Sequence, residues 1–250
     1  MFSKVFIAWK RDYGEQIVLR VCSMLREAGV PYAFHEPEDC DFAITVGGDG
    51  TVLMFQSSLE CPILGINPGK SVGYYTTANA KDFEAKLGRL LNGKEGRDYF
   101  IREYVRIEAM LNRKLLPFKA LNEVLVSPVF VRRMLNAGLE TGGRKSFERN
   151  TGILVYTPSG SNAYAKSAGA KPLGMNGHFG VAAIAPYSGR LKKNIVLDKG
   201  HVMITCLNDE CEVCFDGHED QVTRIKDNDV VFARKSDRPA RIVCFSKKKA

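Results

Sequence analysis

Thr45-Val46-Gly47-Gly48-Asp49-Gly50-Thr51 decides how this chain is read. A short apolar run over residues 42–46 stops at three glycines wrapped around one carboxylate, and a helical pattern over 52–59 follows at once. Strand, glycine turn and helix form a phosphate-binding layout. Glycine lets the backbone approach an anion closely, and a helix N-terminus offers free N–H groups with a partial positive charge. Asp49 does not serve anion affinity, because a carboxylate repels phosphate. Its partner is a metal, a hydroxyl or the turn itself.

Outward from this stretch the pattern alternates. Residues 4–9 read as a buried strand. Ile17, Val21, Met24, Leu25 and Ala28 follow at helical spacing, with Gly29 as the stop. Residues 31–34 and 62–66 are further strands, the second ending in the turn Asn67-Pro68-Gly69. Asn79 is placed to cap a helix whose one face carries Phe83, Leu87 and Leu90. Strands alternating with helices predict an α/β N-terminal domain over residues 1–97, built on a Rossmann-like parallel sheet.

The character changes near Arg97. Residues 99–111 alternate, and strand-like segments follow at 118–126, 153–156, 179–185, 201–207, 211–215, 230–233 and 242–245, separated by Gly, Asn, Asp or Pro. Only residues 160–168 have a helical character. A mostly-β C-terminal domain is therefore expected over 98–235. No internal repeat and no low-complexity linker separates the two halves.

The bulk numbers suit an ordinary soluble protein. The 250 residues are 45% hydrophobic and 26% charged, with a formal net charge of +8. The isoelectric point near 9.1 favours anionic partners. Nucleic acid is disfavoured, because no nucleic-acid module is recognisable. Lys247-Lys248-Lys249 reads as a solvated tail. No secretory signal and no membrane-length apolar run are visible, so a cytoplasmic protein without membrane contact is expected. Seven cysteines, an odd number scattered through apolar segments, fit a reducing compartment. Cys211 and Cys214 have C-x-x-C spacing, yet in a strand they face opposite sides, so core thiols are expected there and no metal ligand is assigned.

Three more segments carry chemistry. Asn122-Glu123 puts an amide and a carboxylate into an apolar strand. Thr157-Pro158-Ser159-Gly160-Ser161-Asn162-Ala163-Tyr164 puts hydroxyls at a helix start, where they serve either capping or binding. Phe215-Asp216-Gly217-His218 ends a strand in what reads as a hairpin turn. Together they offer two polar surfaces. Backbone donors suit phosphates; Asn, Glu and hydroxyls suit the hydroxyls and ring edges of a nucleoside. Asp49 would accept the proton of a hydroxyl attacking a phosphoryl group.

This order of motifs, with Gly65-Ile66-Asn67-Pro68-Gly69 and Val72-Gly73-Tyr74 between the first two, resembles the NAD kinase family over roughly residues 42–218. Gly-Gly-Asp-Gly alone is shared with diacylglycerol, sphingosine and phosphofructose kinases; the run from Thr157 to Tyr164 selects NAD kinase. The resemblance implies transfer of phosphate from ATP, or in some members polyphosphate, to the adenosine 2′-hydroxyl of NAD, with Mg2+ required. It implies a homodimer or homotetramer with the site in a cleft and across a subunit contact, and a tail, residues 236–250, that returns to the first domain. By the same resemblance Asp49 is the base, and Gly47, Gly48, Gly50 and Thr51 hold the phosphates. Asn122, Glu123, Thr151, Ser159, Ser161, Asn162, Ala163, Tyr164 and His218 line the NAD site.

The chain departs from the family's pattern in places. Asn150-Thr151-Gly152 stands where Gly-Asp-Gly is usual, so a hydroxyl replaces a carboxylate. Ser159 and Asn162 replace two threonines. Tyr187 follows Pro186 where a histidine is usual, and Arg190, Lys192 or Lys193 then supplies the cation for the donor; Arg190 is assigned. Two other readings compete: a related kinase acting on a lipid or sugar-phosphate hydroxyl, and a nucleotide sensor without catalysis.

Overall fold

The computed structural model describes residues 3–10, 14–35, 37–70, 73–130, 132–175, 177–192 and 194–246. Val72, Lys193 and the three-lysine tail lie outside the described residues. The chain divides into two compact units, Met1–Tyr104 with Ala240–Ala250, and Val105–Pro239.

The first unit runs β1 (Val5–Trp9), α1 (Glu15–Glu27), β2 (Tyr32–Ala33), β3 (Phe42–Val46), α2 (Asp49–Gln56), β4 (Ile63–Asn67), β5 (Thr76–Asn79), α3 (Phe83–Asn92) and β6 (Phe100–Tyr104). The second runs β7 (Ile107–Leu111), β8 (Lys114–Ala120), β9 (Glu123–Pro128), β10 (Leu135–Thr141), β11 (Arg144–Asn150), β12 (Gly152–Tyr156), α4 (Tyr164–Ser167), β13 (Phe179–Ile184), β14 (Ile195–Leu197), β15 (His201–Cys206), β16 (Cys211–Phe215), β17 (Val222–Ile225) and β18 (Val230–Lys235). The last strand, β19 (Ala240–Cys244), rejoins the first unit.

The first sheet has the order β2-β1-β3-β4-β19-β6, with β5 also on β4. Its pairs are parallel except β19 with β6. Both faces are covered, which is why these strands read as continuous apolar runs. Val5 and Ile7 face the cluster formed with Val18, Val21 and Leu25 of α1 and Leu87 of α3. Phe6 meets Phe55 of α2 edge-on at 6.3 Å. β19 and β5 share one edge of β4: Ile242 pairs with Ile63, and 76–79 take over beside Gly65, Ile66 and Asn67.

The second unit holds two six-stranded sheets, β11-β10-β15-β18-β7-β8 and β14-β13-β12-β9-β16-β17. Their inner faces make one core, with Ala109, Leu139, Ile204 and Val231 from one sheet and Val126, Ile153, Val181 and Val213 from the other. The outer face of β12 is buried too, under Ala165 and Ala170. Cys211 belongs to the central core, while Cys214 donates its thiol to the His218 carbonyl.

Four expectations change. Residues 99–111 are two strands in different sheets. The break falls at Val105-Arg106, where Arg106 is fully buried and its Nε donates to the Arg238 carbonyl at 2.7 Å. Residues 118–126 are also two strands, broken at Leu121-Asn122. Residues 135–150 form a hairpin turning on Gly142 and Gly143, both at positive φ (57° and 70°), as a two-residue turn demands. Asn79 closes β5 instead of capping α3; its side chain accepts from the Lys81 amide, and Asp82 stands at the helix start.

Because β19 lies inside the sheet, its side chains carry the first unit. Ile242 is fully buried. Ile242→Ala is expected to cost about 2–5 kcal/mol. Trp9, the only tryptophan in the chain, packs on the first core, so its fluorescence in urea reads that loss directly.

Candidate active site

The glycine turn joins β3 to α2. Gly47 has φ 156°, and a Cβ there would overlap the Thr51 side chain, so the fold itself demands glycine at 47. Thr51 is buried against it. Gly48 and Gly50 differ. They are exposed, have ordinary φ, and a Cβ on either would meet nothing. Among the described residues, the N–H groups of Gly48, Asp49 and Gly50 find no acceptor. They sit at the positive end of α2, as an anion site requires.

Asp49 has structural work of its own. Its carboxylate accepts from the backbone N–H groups of Tyr74, Tyr75 and Thr76 at 2.7, 2.8 and 3.2 Å. It thereby fixes the entry to β5. About four lone-pair directions belong to a carboxylate, so room for one further donor remains.

In the second unit Asp216 does the same. At φ 51° it turns its carboxylate onto the N–H groups of Leu121, Asn122 and Glu123, at 2.8, 2.6 and 3.1 Å. Its own N–H donates back to the Glu123 carbonyl at 3.0 Å. Asp216 is a residue that sequence reasoning left as a hairpin turn; its position in an Asp-Gly-His run was the available signal.

The loop 157–161 packs onto the same place. Thr157 and Ser159 both donate their hydroxyls to the Leu121 carbonyl, at 2.6 and 3.0 Å. A Cβ on Gly160 would overlap the Asn122 backbone. Ser161 is fully buried, donating to the Pro158 carbonyl at 2.7 Å and accepting from the Leu173 N–H at 2.9 Å. Ser159 and Ser161 therefore spend their hydroxyls on the loop. Asn162 and Tyr164 are exposed, with Ala163 half-buried between them. His218, half-buried, follows the Asp216 turn.

Glu123 is the electrostatic anomaly. It is 5% exposed, and its Oε2 has no hydrogen-bond partner. Burial, and then the neighbouring Asp216 charge, push its pKa up to about 8. An unpartnered buried carboxyl is costly, and such groups cluster where ligands bind.

Thr151 and Arg190 lie elsewhere. Thr151 precedes β12 and Thr157 follows it, so a strand's length, roughly 17 Å for five residues, separates them. Both the amide and the hydroxyl of Thr151 donate to the Ile184 carbonyl, at 2.9 and 3.1 Å. Arg190 belongs to the second unit. Its guanidinium donates to the Arg144 carbonyl at 3.2 Å. The backbone there is held by Glu148, which accepts from Arg190 and Leu191 N–H at 2.8 and 3.1 Å.

A bare glycine-rich helix start in the first unit and a built polar pocket in the second are each features of nucleotide-handling proteins. Residues 18–95 match the ATP-NAD kinase N-terminal domain, and residues 121–245 match the ATP-NAD kinase C-terminal domain. The chain belongs to the NAD kinase family. NAD kinase of Thermococcus gammatolerans is 31% identical over 215 residues, covering 84% of this chain and 76% of that protein. NAD kinase of Thermoplasma acidophilum is 31% identical over 210 residues, covering 82% and 74%. Among solved structures, an NAD kinase from Archaeoglobus fulgidus in complex with ATP superimposes with TM-score 0.79 at 26% identity, covering 98% of this chain and 94% of the other. A yeast NADH kinase complexed with NADH shares the fold, with TM-score 0.83 at 16% identity over 99% and 84% of the two chains.

Two outcomes test this geometry. Asp216→Asn leaves one acceptor oxygen where two serve three N–H groups, and removes the charge; it is expected to cost about 1.5–3 kcal/mol in urea unfolding. Glu123 holds its proton to about pH 8 in the folded protein against 4.5 in the unfolded chain. The folded state thus binds more protons between those values, and stability falls as pH rises through that window. Glu123→Gln removes this fall. The variant is expected to gain about 1–3 kcal/mol on the wild type at the alkaline end and little at the acid end.

Proposed function

We propose that this chain phosphorylates the adenosine 2′-hydroxyl of NAD, with ATP or polyphosphate as donor, and releases NADP. The observation that carries the reading is the match of both units, over nearly the whole chain, to the two domains of ATP-NAD kinases. The site supports it from the residues upward. The N–H groups of Gly48, Asp49 and Gly50 receive the donor phosphates. Gly47 and Thr51 shape that turn without touching the donor. Asn122 and Glu123 take the nucleoside: Glu123, carrying an unpartnered oxygen, accepts from sugar hydroxyls. Asn162, Ala163 and Tyr164 present the exposed side of the pocket, Ser159 and Ser161 hold its loop, and His218 borders it.

Asp49 has room for one more donor, and the acceptor hydroxyl fills that role. A carboxylate is too weak a base to ionise a sugar hydroxyl beforehand, so the proton reaches Asp49 late, as the bond to phosphorus forms. Among the described residues no cluster of three or more His, Cys, Asp or Glu can hold a metal. A magnesium ion would be carried on the donor's phosphates, where it would neutralise developing charge. Thr151 lies too far along β12 to reach the Glu123 pocket of its own chain. It enters a site only from a second copy, and we therefore propose a homo-oligomer. Arg190 meets donor phosphate in the same manner. Among the described residues no helix is long and apolar enough to cross a membrane, and the free buried cysteines suit a reducing compartment such as the cytoplasm.

Purified protein with NAD, ATP and magnesium is expected to form NADP, read with an NADP-specific dehydrogenase; a parallel arm replaces ATP with polyphosphate. Nucleotide binding without NADP would leave a sensor, because the clasp on 74–76 alone is reason enough to keep Asp49. Asp49→Asn is expected to lower kcat by at least ~100-fold with NAD affinity little changed. NAD binding lost in proportion to rate would instead assign Asp49 to the clasp only.

A further inference from the structure

A cavity of about 300 Å³ opens in the first unit among β5, α3, β6 and the end of β19. Its wall carries Lys86, Arg89 and Arg102, with Tyr74, Tyr104 and Phe245, and among the described residues no carboxylate lines it. Lys86 and Arg89 both lie over the Phe245 ring, 5.6 and 5.3 Å from its centroid. Lys86 is anchored by the Thr77 carbonyl at 2.6 Å and by Asp82 at 2.8 Å. Arg89 spends one nitrogen on the Asp98 carbonyl at 2.6 Å, and its charge also acts on the Asp98 carboxylate. Arg102 donates to the Tyr104 phenol. Positive charge is therefore held in place around a hollow, and the Arg89 fork keeps donors to spare.

The hollow also shares a wall with the chemistry. Gly73, Tyr74 and Thr76 line it, and Asp49 grips the N–H groups of Tyr74 and Thr76. One short segment thus has the Asp49 carboxylate on one side and the cationic cavity on the other. The volume sits at the floor of the range for ligand sites, about 300–1,000 Å³. It is too small for a dinucleotide and ample for one or two phosphoryl groups.

We propose that this cavity is an effector site for a compact phosphate-bearing anion, whose occupancy acts on Asp49 through the segment they share. The binding half stands by itself; the coupling half rests on the kinase reading above. A bound dianion bridges Lys86 and Arg89, draws their side chains onto it and shifts segment 73–76, and with it the remaining lone pair of Asp49.

Crystals of the full chain soaked in tungstate, a heavy analogue of phosphate, provide the test. An anomalous peak between Lys86 and Arg89 is expected, in addition to any at the Gly48–Gly50 amides. Pyrophosphate binding by calorimetry, with the glycine turn saturated by a non-hydrolysable ATP analogue, is expected to weaken at least tenfold in Lys86→Gln/Arg89→Gln. Pyrophosphate is also expected to change kcat at saturating substrates in the wild type and not in that variant. If the double variant does not fold, exposed Arg89→Gln carries the same comparison. Peaks at the glycine turn alone, or equal affinities in variant and wild type, overturn the site. Binding without any effect on kcat overturns the coupling. A peak in a protein that makes no NADP overturns the kinase reading and leaves the site standing.

Discussion

The arrangement depends on carboxylates that grip runs of consecutive backbone N–H groups. Asp49 holds 74–76, Asp216 holds 121–123 and Glu148 holds 190–191. Each gripped run lies at the entry to a strand or helical turn, where amides would otherwise be orphans. Charge-assisted bonds to N–H are short and roughly twice as strong as neutral ones. One side chain therefore replaces a missing strand neighbour and pins a turn to a segment distant in sequence. The gripped runs contain Tyr74, Asn122, Glu123 and Arg190, which carry or border the proposed site. Precision at the site thus comes from carboxylates that are committed to backbone.

This division of labour explains why two neighbouring carboxyls behave differently. Asp216 is surrounded by donors, three backbone N–H groups. Glu123, the residue it clamps, receives none on Oε2 and lies close to that same charge. Burial then favours its neutral form. The clamp that fixes the Glu123 backbone also raises the cost of ionising its side chain. On the proposed reading, a ligand hydroxyl would supply the compensation that the protein withholds.

The parallel half was legible because its strands are buried on both faces and read as unbroken apolar runs set between helical periods. What stayed hidden were breaks without punctuation. Nothing in the alternation over 99–111 signals that Tyr104 and Ile107 belong to different sheets; that follows from burying Arg106 against the returning chain. The hairpin over 135–150 did carry a signal, Gly142-Gly143 between alternating segments, which Arg and Glu in β11 obscured. β14 and β17 are too short to show a period. Asn79 and Asp82 are both able caps, and only the β5 pairing decides between them.

Site residues were legible by type more than by direction. The hydroxyls of Ser159 and Ser161 look alike in sequence to any ligand-facing pair, yet both turn inward, because the loop must satisfy the Leu121 and Pro158 carbonyls before it can hold anything else. The glycines divide the other way. Gly47 is required by Thr51, whereas a Cβ on Gly48 or Gly50 would meet nothing in the fold. Asp49 joins both kinds. Its first task is to hold segment 74–76, and only the lone pair left over is available to a substrate. A carboxylate in the proposed phosphate loop is therefore tolerable on electrostatic grounds: three N–H dipoles offset its charge, while the amides of 48–50 stay available to an anion.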